Sequence, residues 1–277
     1  MPSEELEEFR PPRVIGNPHG RLAPMVVRDY SGYDGNPEPE KNIVFSATTS
    51  VLVAVHVDET DFCPHGFIMG PRDAPISLSD SRIPAHLEVW LDPLSAHTLL
   101  GTSAVELSGQ LVDLGDVLGP AGRELAGRIR DERTWCERFD ILDRFLLERA
   151  ESGRSPLREV RRAWTLLKSS GGLMPIAHIA EEVGWSHKHL ITRFTNHVGL
   201  PPKTAARITR FDRARCQLLD EKPRLPLQEI ATDRGYADQS HLNRDFREFT
   251  GVTPTQYLAI SRTTSPTPSF TCQIPQN

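Results

Sequence analysis

Two stretches decide how this chain folds: Ile176-Ala-His-Ile-Ala-Glu-Glu-Val-Gly184-Trp185 and Leu227-Gln-Glu-Ile-Ala-Thr-Asp-Arg-Gly235-Tyr236. Each places apolar residues at i, i+3 and i+4 (Ile176, Ile179, Ala180; Leu227, Ile230, Ala231), the spacing of a two-turn helix with one buried stripe. A glycine able to take the left-handed conformation then ends the helix, and an aromatic residue follows to pin the turn. Next comes a polar N-cap candidate, Ser186 in one copy and Asp238 in the other. A second helix is predicted in both, with a Leu and a Phe four apart: Leu190/Phe194 and Leu242/Phe246. Each copy closes on Gly-x-x-Pro, at Gly199–Pro202 and Gly251–Pro254. Thr253-Pro-Thr-Gln256 adds a capping box with proline at the first helical position.

Helix, glycine turn, then a helix with an apolar inner face and a polar outer face is the helix-turn-helix unit. The two copies start 51 residues apart, with one residue inserted after the second turn. Between them, Pro202 to about Leu219 reads as one helix with Ile208, Phe211, Ala214 and Leu218 on one face. At ~1.5 Å per residue such a helix spans ~27 Å. Successive major grooves on one face of B-DNA lie ~34 Å apart. The spacing predicts a bipartite reader that seats both second helices in neighbouring grooves.

Working outward, the 277 residues fit two domains better than one. With 25% charged and 38% hydrophobic residues the composition is that of an ordinary globular protein. No run of ~18 apolar residues predicts a membrane span, and the acidic start Met1-Pro-Ser-Glu-Glu5 lacks the apolar core of a secretory signal. Cys63, Cys136, Cys216 and Cys272 are scattered and form no CxxC pair, which suits free thiols in a reducing compartment. Residues 1–157 hold 15 Lys/Arg against 26 Asp/Glu, whereas residues 158–277 hold 17 against 11. A basic C-terminal half on an acidic N-terminal half suits a nucleic-acid-binding module joined to a partner domain.

The fold class expected is α+β: a strand-rich N-terminal domain with a helical end, small-barrel or cupin-like, and an all-α C-terminal domain. Residues 1–40, rich in Pro, Gly and acid, read as an arm with little regular structure. Strands are predicted at Ile43–Phe45, Val51–Val57, Phe67–Met69 and His86–Leu91, each bounded by turn residues. From Leu94 the period turns helical, near Ser95–Leu100, Gly122–Arg130 and Trp135–Arg149. Residues 41–150 thus form the N-terminal domain, 151–157 a polar linker, 158–260 the helical reader, and 261–277 an uncharged tail expected to be disordered.

From about Leu157 to Leu258 the chain resembles the DNA-binding domain of the AraC/XylS family. The most specific part is Gly235-Tyr-Ala-Asp-Gln-Ser-His-Leu-Asn-Arg-Asp-Phe-Arg-Glu-Phe-Thr-Gly-Val-Thr-Pro-Thr-Gln-Tyr257. Leu87-Glu-Val-Trp-Leu-Asp-Pro93 followed by Leu99-Leu-Gly101 resembles, more loosely, the companion domains of actinobacterial-type members. The resemblance implies a cytoplasmic, nucleoid-associated transcription regulator, an activator by type. It implies double-stranded DNA and RNA polymerase as partners, no membrane, and no cofactor. The companion domain is then expected to bind a small-molecule effector, to form a homodimer, or both.

Carried over residue by residue, the resemblance implies base reading by Lys188, Ile191 and Thr192 in the first copy. In the second it implies Gln239, Ser240, Asn243 and Arg244. Chemistry agrees for several: Arg244 can grip guanine O6 and N7 in bidentate fashion, and Gln239 or Asn243 can pair with adenine N6 and N7. Thr192 departs from the family's common arginine, and Arg193 sits one position on, ~100° round the helix, where phosphate is its expected partner. The first copy then reads sequence less tightly, or uses His187, Lys188 and His189. Arg193, Lys203, Arg207, Arg210 and Arg247 are the phosphate candidates.

Two rivals stay open at this level. One is a metal- or ligand-binding barrel enzyme fused to a helical module, suggested by His56, Cys63, His65 and His86. Against it, Cys63-Pro-His65 is one short pair and the other histidines lie in separate segments; HxH and HExxH are missing from this N-terminal half, and GxSxG, P-loop and GxGxxG patterns from the chain. No catalytic or metal-ligating residue is therefore assigned, and an enzyme is not expected. The other rival is a DNA-binding protein that needs no ligand.

Overall fold

The computed structural model describes residues 13–35, 40–61, 63–81, 84–220 and 225–263. Its N-terminal half is built on β1 (Arg13–Gly16), β2 (Tyr30–Tyr33), β3 (Glu40–Phe45), β4 (Val51–His56), β5 (Gly66–Met69), β6 (Ile76–Ser81), β7 (His86–Leu91) and β8 (Leu111–Asp113). Six of these form an antiparallel sheet in the order β1-β2-β7-β4-β5-β8, and β3 pairs with β6 in a separate two-stranded sheet. The α+β class stands, with two open sheets in place of one closed barrel. Five helices follow: α1 (Pro93–Leu100), α2 (Ala104–Leu107), α3 (Leu114–Leu118), α4 (Pro120–Asp131) and α5 (Trp135–Ser152).

Alternation along the strands sorts the two faces. Val51, Val53, Val55, Ile68, Leu87, Val89 and Leu91 join one core with Leu125, Ile129, Phe139 and Leu142 from α4 and α5. Leu52, Ala54, His56, Phe67, Met69, His86, Glu88 and Trp90 take the alternate positions and so face the other way. There Phe45 of β3 meets Phe67 edge-on, with ring centroids 6.4 Å apart.

Residues 13–33, expected to belong to an irregular arm, instead supply β1 and β2. Glycine makes this possible. A Cβ on Gly16 would stand 2.4 Å from the Phe139 ring, and one on Gly32 would stand 2.3 Å from Trp135, so the strands can approach α5 only without side chains there. Tyr30 is fully buried and donates to Asp143 at 2.7 Å, fixing β2 to the same helix. β8 is a second correction, a strand of three residues inside the stretch expected to be helical, too short to show a period of its own. Residues 1–12 of the expected arm, 36–39, and the tail beyond Thr263 lie outside the described residues.

Among the described residues the C-terminal half holds seven helices: α6 (Arg158–Ser169), α7 (Ile176–Glu182), α8 (His187–Val198), α9 (Pro202–Leu219), α10 (Leu227–Asp233), α11 (Gln239–Thr250) and α12 (Pro254–Thr263). The connecting helix has the bounds its periodicity predicts. Helix α12 runs to Thr263, so residues 261–263 of the expected tail are helical. One core runs through both units. Trp164 meets Phe194 at 6.0 Å, and Phe211 of α9 meets Phe246 and Phe249 of α11 at 4.9 and 5.2 Å.

The halves are joined by polar contacts around α1. Asp92, 8% exposed, caps α1 through Leu94 N–H at 3.1 Å. Its other oxygen accepts from Trp164 Nε1 at 2.9 Å and Lys168 Nζ at 2.8 Å on α6. Ser103 donates to the Asn196 carbonyl near the end of α8, and Ala47 N–H donates to the Phe249 carbonyl on α11 at 2.8 Å.

Candidate nucleic-acid interface

The two hooks close by the same local chemistry. Gly184 and Gly235 take φ of 72° and 70°, the left-handed region where a Cβ costs energy. Beyond each glycine the aromatic residue reaches back five positions: Trp185 N–H donates to Ala180 O, and Tyr236 N–H to Ala231 O, both at 2.9 Å. Ser186 Oγ then accepts from His189 N–H at 3.3 Å, and Asp238 Oδ1 accepts from His241 N–H at 2.7 Å. These caps satisfy amides that a helix start leaves unpaired. In each copy the capped histidine stands perpendicular to the turn aromatic, Trp185 on His189 at 4.7 Å and Tyr236 on His241 at 5.1 Å. Gly199 and Gly251 end the second helices with φ of 83° and 80°.

Matching the N-caps aligns α8 with α11. His187 falls opposite Gln239, Lys188 opposite Ser240, Ile191 opposite Asn243, and Thr192 opposite Arg244. The inner residues Leu190, Phe194, Leu242 and Phe246 are buried, whereas Lys188, Ile191, Thr192, Gln239, Ser240 and Arg244 are exposed. Asn243 is half-buried, and its Oδ1 has no hydrogen-bond partner among the described residues. Thr192 Oγ1 turns back to the Lys188 carbonyl at 3.1 Å, so its hydroxyl already has an acceptor. His187 is exposed at the first position of α8. It gains weight from this alignment, because the N-cap serine that precedes it marks the same position as Gln239.

The cations separate into two groups. Arg193, Lys203 and Arg247 are exposed and, among the described residues, make no ion pair. Arg207, also expected as a phosphate contact, is held by ion pairs within the fold. Its Nη2 lies 2.7 Å from both Asp245 Oδ1 and Glu248 Oε2, and its Nη1 lies 2.9 Å from Glu248 Oε1. The guanidinium also lies 5.0 Å from the Phe249 ring. Its hydrogen bonds hold the Glu248 carboxyl below the ordinary range, and those same bonds hold Arg207 more firmly protonated. Asp245 is 1% exposed, so this arginine neutralises a carboxylate inside the fold and pins α9 to α11. Arg210, half-buried, lies 4.7 Å over the Tyr236 ring.

Residues 179–260 match the model of a helix-turn-helix domain family. They form an AraC-type helix-turn-helix domain. The AraC-type domain accounts for both hooks and α9 between them. VirS, an HTH-type transcriptional regulator of Mycobacterium tuberculosis, is 32% identical over 159 residues, which cover 50% of this chain and 46% of VirS. An uncharacterized HTH-type transcriptional regulator of Staphylococcus aureus is 31% identical over 86 residues, 30% of this chain and 11% of that protein. The chain thus spans about half or less of the length of these curated relatives. Among solved structures, ToxT from Vibrio cholerae aligns with a TM-score of 0.43 at 14% identity, covering 92% of this chain and 96% of that one. The C-terminal domain of AraT, a response regulator from Geobacillus stearothermophilus, aligns at 0.34 and 26% identity, covering 38% and 86%.

In the other half, His56 and His86 stand opposite each other on β4 and β7. Burial, and then repulsion from His86, push the His56 imidazole down to about 4. His65 Nδ1 lies 3.5 Å from Asp113 on a different part of the sheet. Among the described residues no three His, Cys, Asp or Glu side chains converge as metal ligands, and no helix is long and apolar enough to cross a membrane.

Proposed function

We propose that this protein is a sequence-specific DNA-binding regulator of transcription that lays α8 and α11 in neighbouring major grooves of one duplex. The observation that carries the reading is the repeated hook, with the same turn, cap and histidine–aromatic contact in both copies beneath an exposed polar face. Lys188, Ile191 and Thr192, with His187, face bases in the first half-site. Gln239, Ser240, Asn243 and Arg244 read the second, Arg244 by a bidentate grip on guanine. Arg193, Lys203 and Arg247 meet phosphates, joined by Arg210 to the extent that its stacking on Tyr236 leaves it free. Residues 13–150 sense a small molecule or dimerise, acting on the reader through the α1–α6 contact. The chain works in the cytoplasm at the nucleoid, with RNA polymerase downstream, and carries out no reaction of its own.

Selection of bound fragments from random duplex DNA tests this. The expected result is two enriched sequence blocks about one helical turn, ~10 base pairs, apart. Recovery of a single block, or of none at low salt, would overturn the bipartite reading.

A further inference from the structure

The sheet face turned away from α4 and α5 holds a charge that the DNA-reading proposal does not use. Arg72 lies in the turn between β5 and β6, where its N–H and carbonyl exchange hydrogen bonds with those of Thr48, both at 2.9 Å. Its residue is only 3% exposed. Nη1 donates to the Gly70 carbonyl at 3.2 Å, Nε is buried with no acceptor, and no carboxylate pairs with the group among the described residues. The guanidinium lies 5.8 Å from the centre of the Phe45 ring. From there a row of rings continues through Phe67 to His56, with centroids 6.4 and 6.0 Å apart.

A buried guanidinium without an anion is among the costlier features a fold can keep, because the water it loses is only partly replaced, here by one carbonyl. Burial pushes its proton affinity down, to about 10, which still leaves it cationic at neutral pH. What accounts for such a group is an anion it receives. Planar guanidinium forks match carboxylates, and the adjoining half-buried rings of Phe45 and Phe67 offer apolar contact.

We propose that Arg72 anchors a binding site for a small organic carboxylate whose apolar body lies along Phe45 and Phe67. This deepens, and rests on, the reading of the N-terminal half as a sensor. The site also stands where a signal is useful. Two residues before Thr48, the loop from Phe45 has just left β3, and Ala47 within it donates to Phe249 of α11. On the other side Pro71 lies 3.1 Å from where a Cβ on Gly199 would stand, at the end of α8. Both recognition helices are touched at their C-terminal ends by the segments that flank the arginine.

The test uses the full chain with 4-phenylbutyrate, its neutral amide, and 100 mM sodium acetate against sodium chloride. Both carboxylates raise the melting temperature, phenylbutyrate by about 5 °C once it reaches a hundred times its Kd, and the amide does not. Arg72→Met abolishes the response and melts no lower than the native chain, since it discards an unpaired charge; Arg72→Lys keeps a weakened response. The proposal is overturned if neither carboxylate shifts the native chain, if the amide or Arg72→Met responds equally, or if Arg72→Met melts lower. DNA affinity of the ligand-free chain is measured alongside. Normal DNA binding without a carboxylate response defeats this inference alone, whereas absent DNA binding defeats the proposed function.

Discussion

Arg207→Ala separates a cation that touches DNA from one that holds the fold. The native side chain bridges Asp245 and Glu248 at 2.7 Å each. Glu248 is 45% exposed, so water replaces most of what it loses, and its share is ~0.5 kcal/mol. Asp245 is 1% exposed, and stranding its carboxylate without a cation costs ~3 kcal/mol, toward the lower end for a broken buried pair because Arg207 itself keeps contact with water. The sum is about 3–4 kcal/mol of stability, read from urea unfolding. The DNA of the folded fraction, followed by fluorescence anisotropy between 50 and 200 mM salt, should show an unchanged slope of log K on log salt. Arg247→Ala should do the reverse, lowering that slope by ~0.9 while leaving stability within ~0.5 kcal/mol. Adding Asp245→Ala to Arg207→Ala should recover most of the lost stability, since the buried charge goes with its partner. If Arg207→Ala flattened the salt slope by about one and left the urea midpoint alone, the ion-pair reasoning would be refuted.

Three further outcomes are expected. Arg244→Ala should relax preference at one base position by ~1–3 kcal/mol, measured as the affinity ratio of the selected site to its single-base variants. Because His56 is held near 4 in the fold and titrates near 6.5 unfolded, the unfolded chain takes up a proton that the folded one rejects. Its contribution is complete above pH 6.5 and is lost as pH falls toward 4, ~2 kcal/mol of it by pH 5; in His56→Gln the urea midpoint should fall less between pH 7 and pH 5, and an equal fall would contradict the assignment. Asp92→Ala removes a helix cap and strands the buried Trp164 indole N–H, costing ~2–4 kcal/mol, with faster protease cleavage between Ser152 and Arg158 as the accompanying readout.

What the sequence made legible follows the range of the forces involved. The hooks were readable because every device in them is local: a glycine that must be left-handed, a cap that binds an amide three residues on, an apolar stripe repeated every third or fourth position. Helix α9 was readable for the same reason, and so was the candidate base-reading face, which is whatever the stripe leaves outside. The six-stranded sheet was half readable. Strands β4 and β7 carry their own runs of Val and Leu, but β2, Tyr30-Ser-Gly-Tyr33, looks like a loop until Trp135, about a hundred residues away, is set against Gly32. The ion pairs of Arg207 were hidden for a related reason. On its own helix it is an ordinary surface cation, and its partners stand 38 and 41 residues further on.

Asp245 shows that this blindness has a chemical form. A carboxylate seven residues past the N-cap of a helix proposed to face DNA is a poor choice beside phosphate, and by charge alone it argues against the proposed role. Burial reverses the argument. Enclosed at 1% exposure and paired with Arg207, the carboxylate is turned away from the helix's outer face and ties α9 to α11. The first hook has Arg193 at the matching position, exposed and without such a lock. The two units are therefore alike in backbone and unlike in what holds them, the second bound to the connecting helix by ions and the first to the N-terminal half through Ser103 and α6. On that asymmetry, any signal arising in the N-terminal half would reach α8 by its polar joints and α11 through the backbone contact at Ala47 and the shared core around α9.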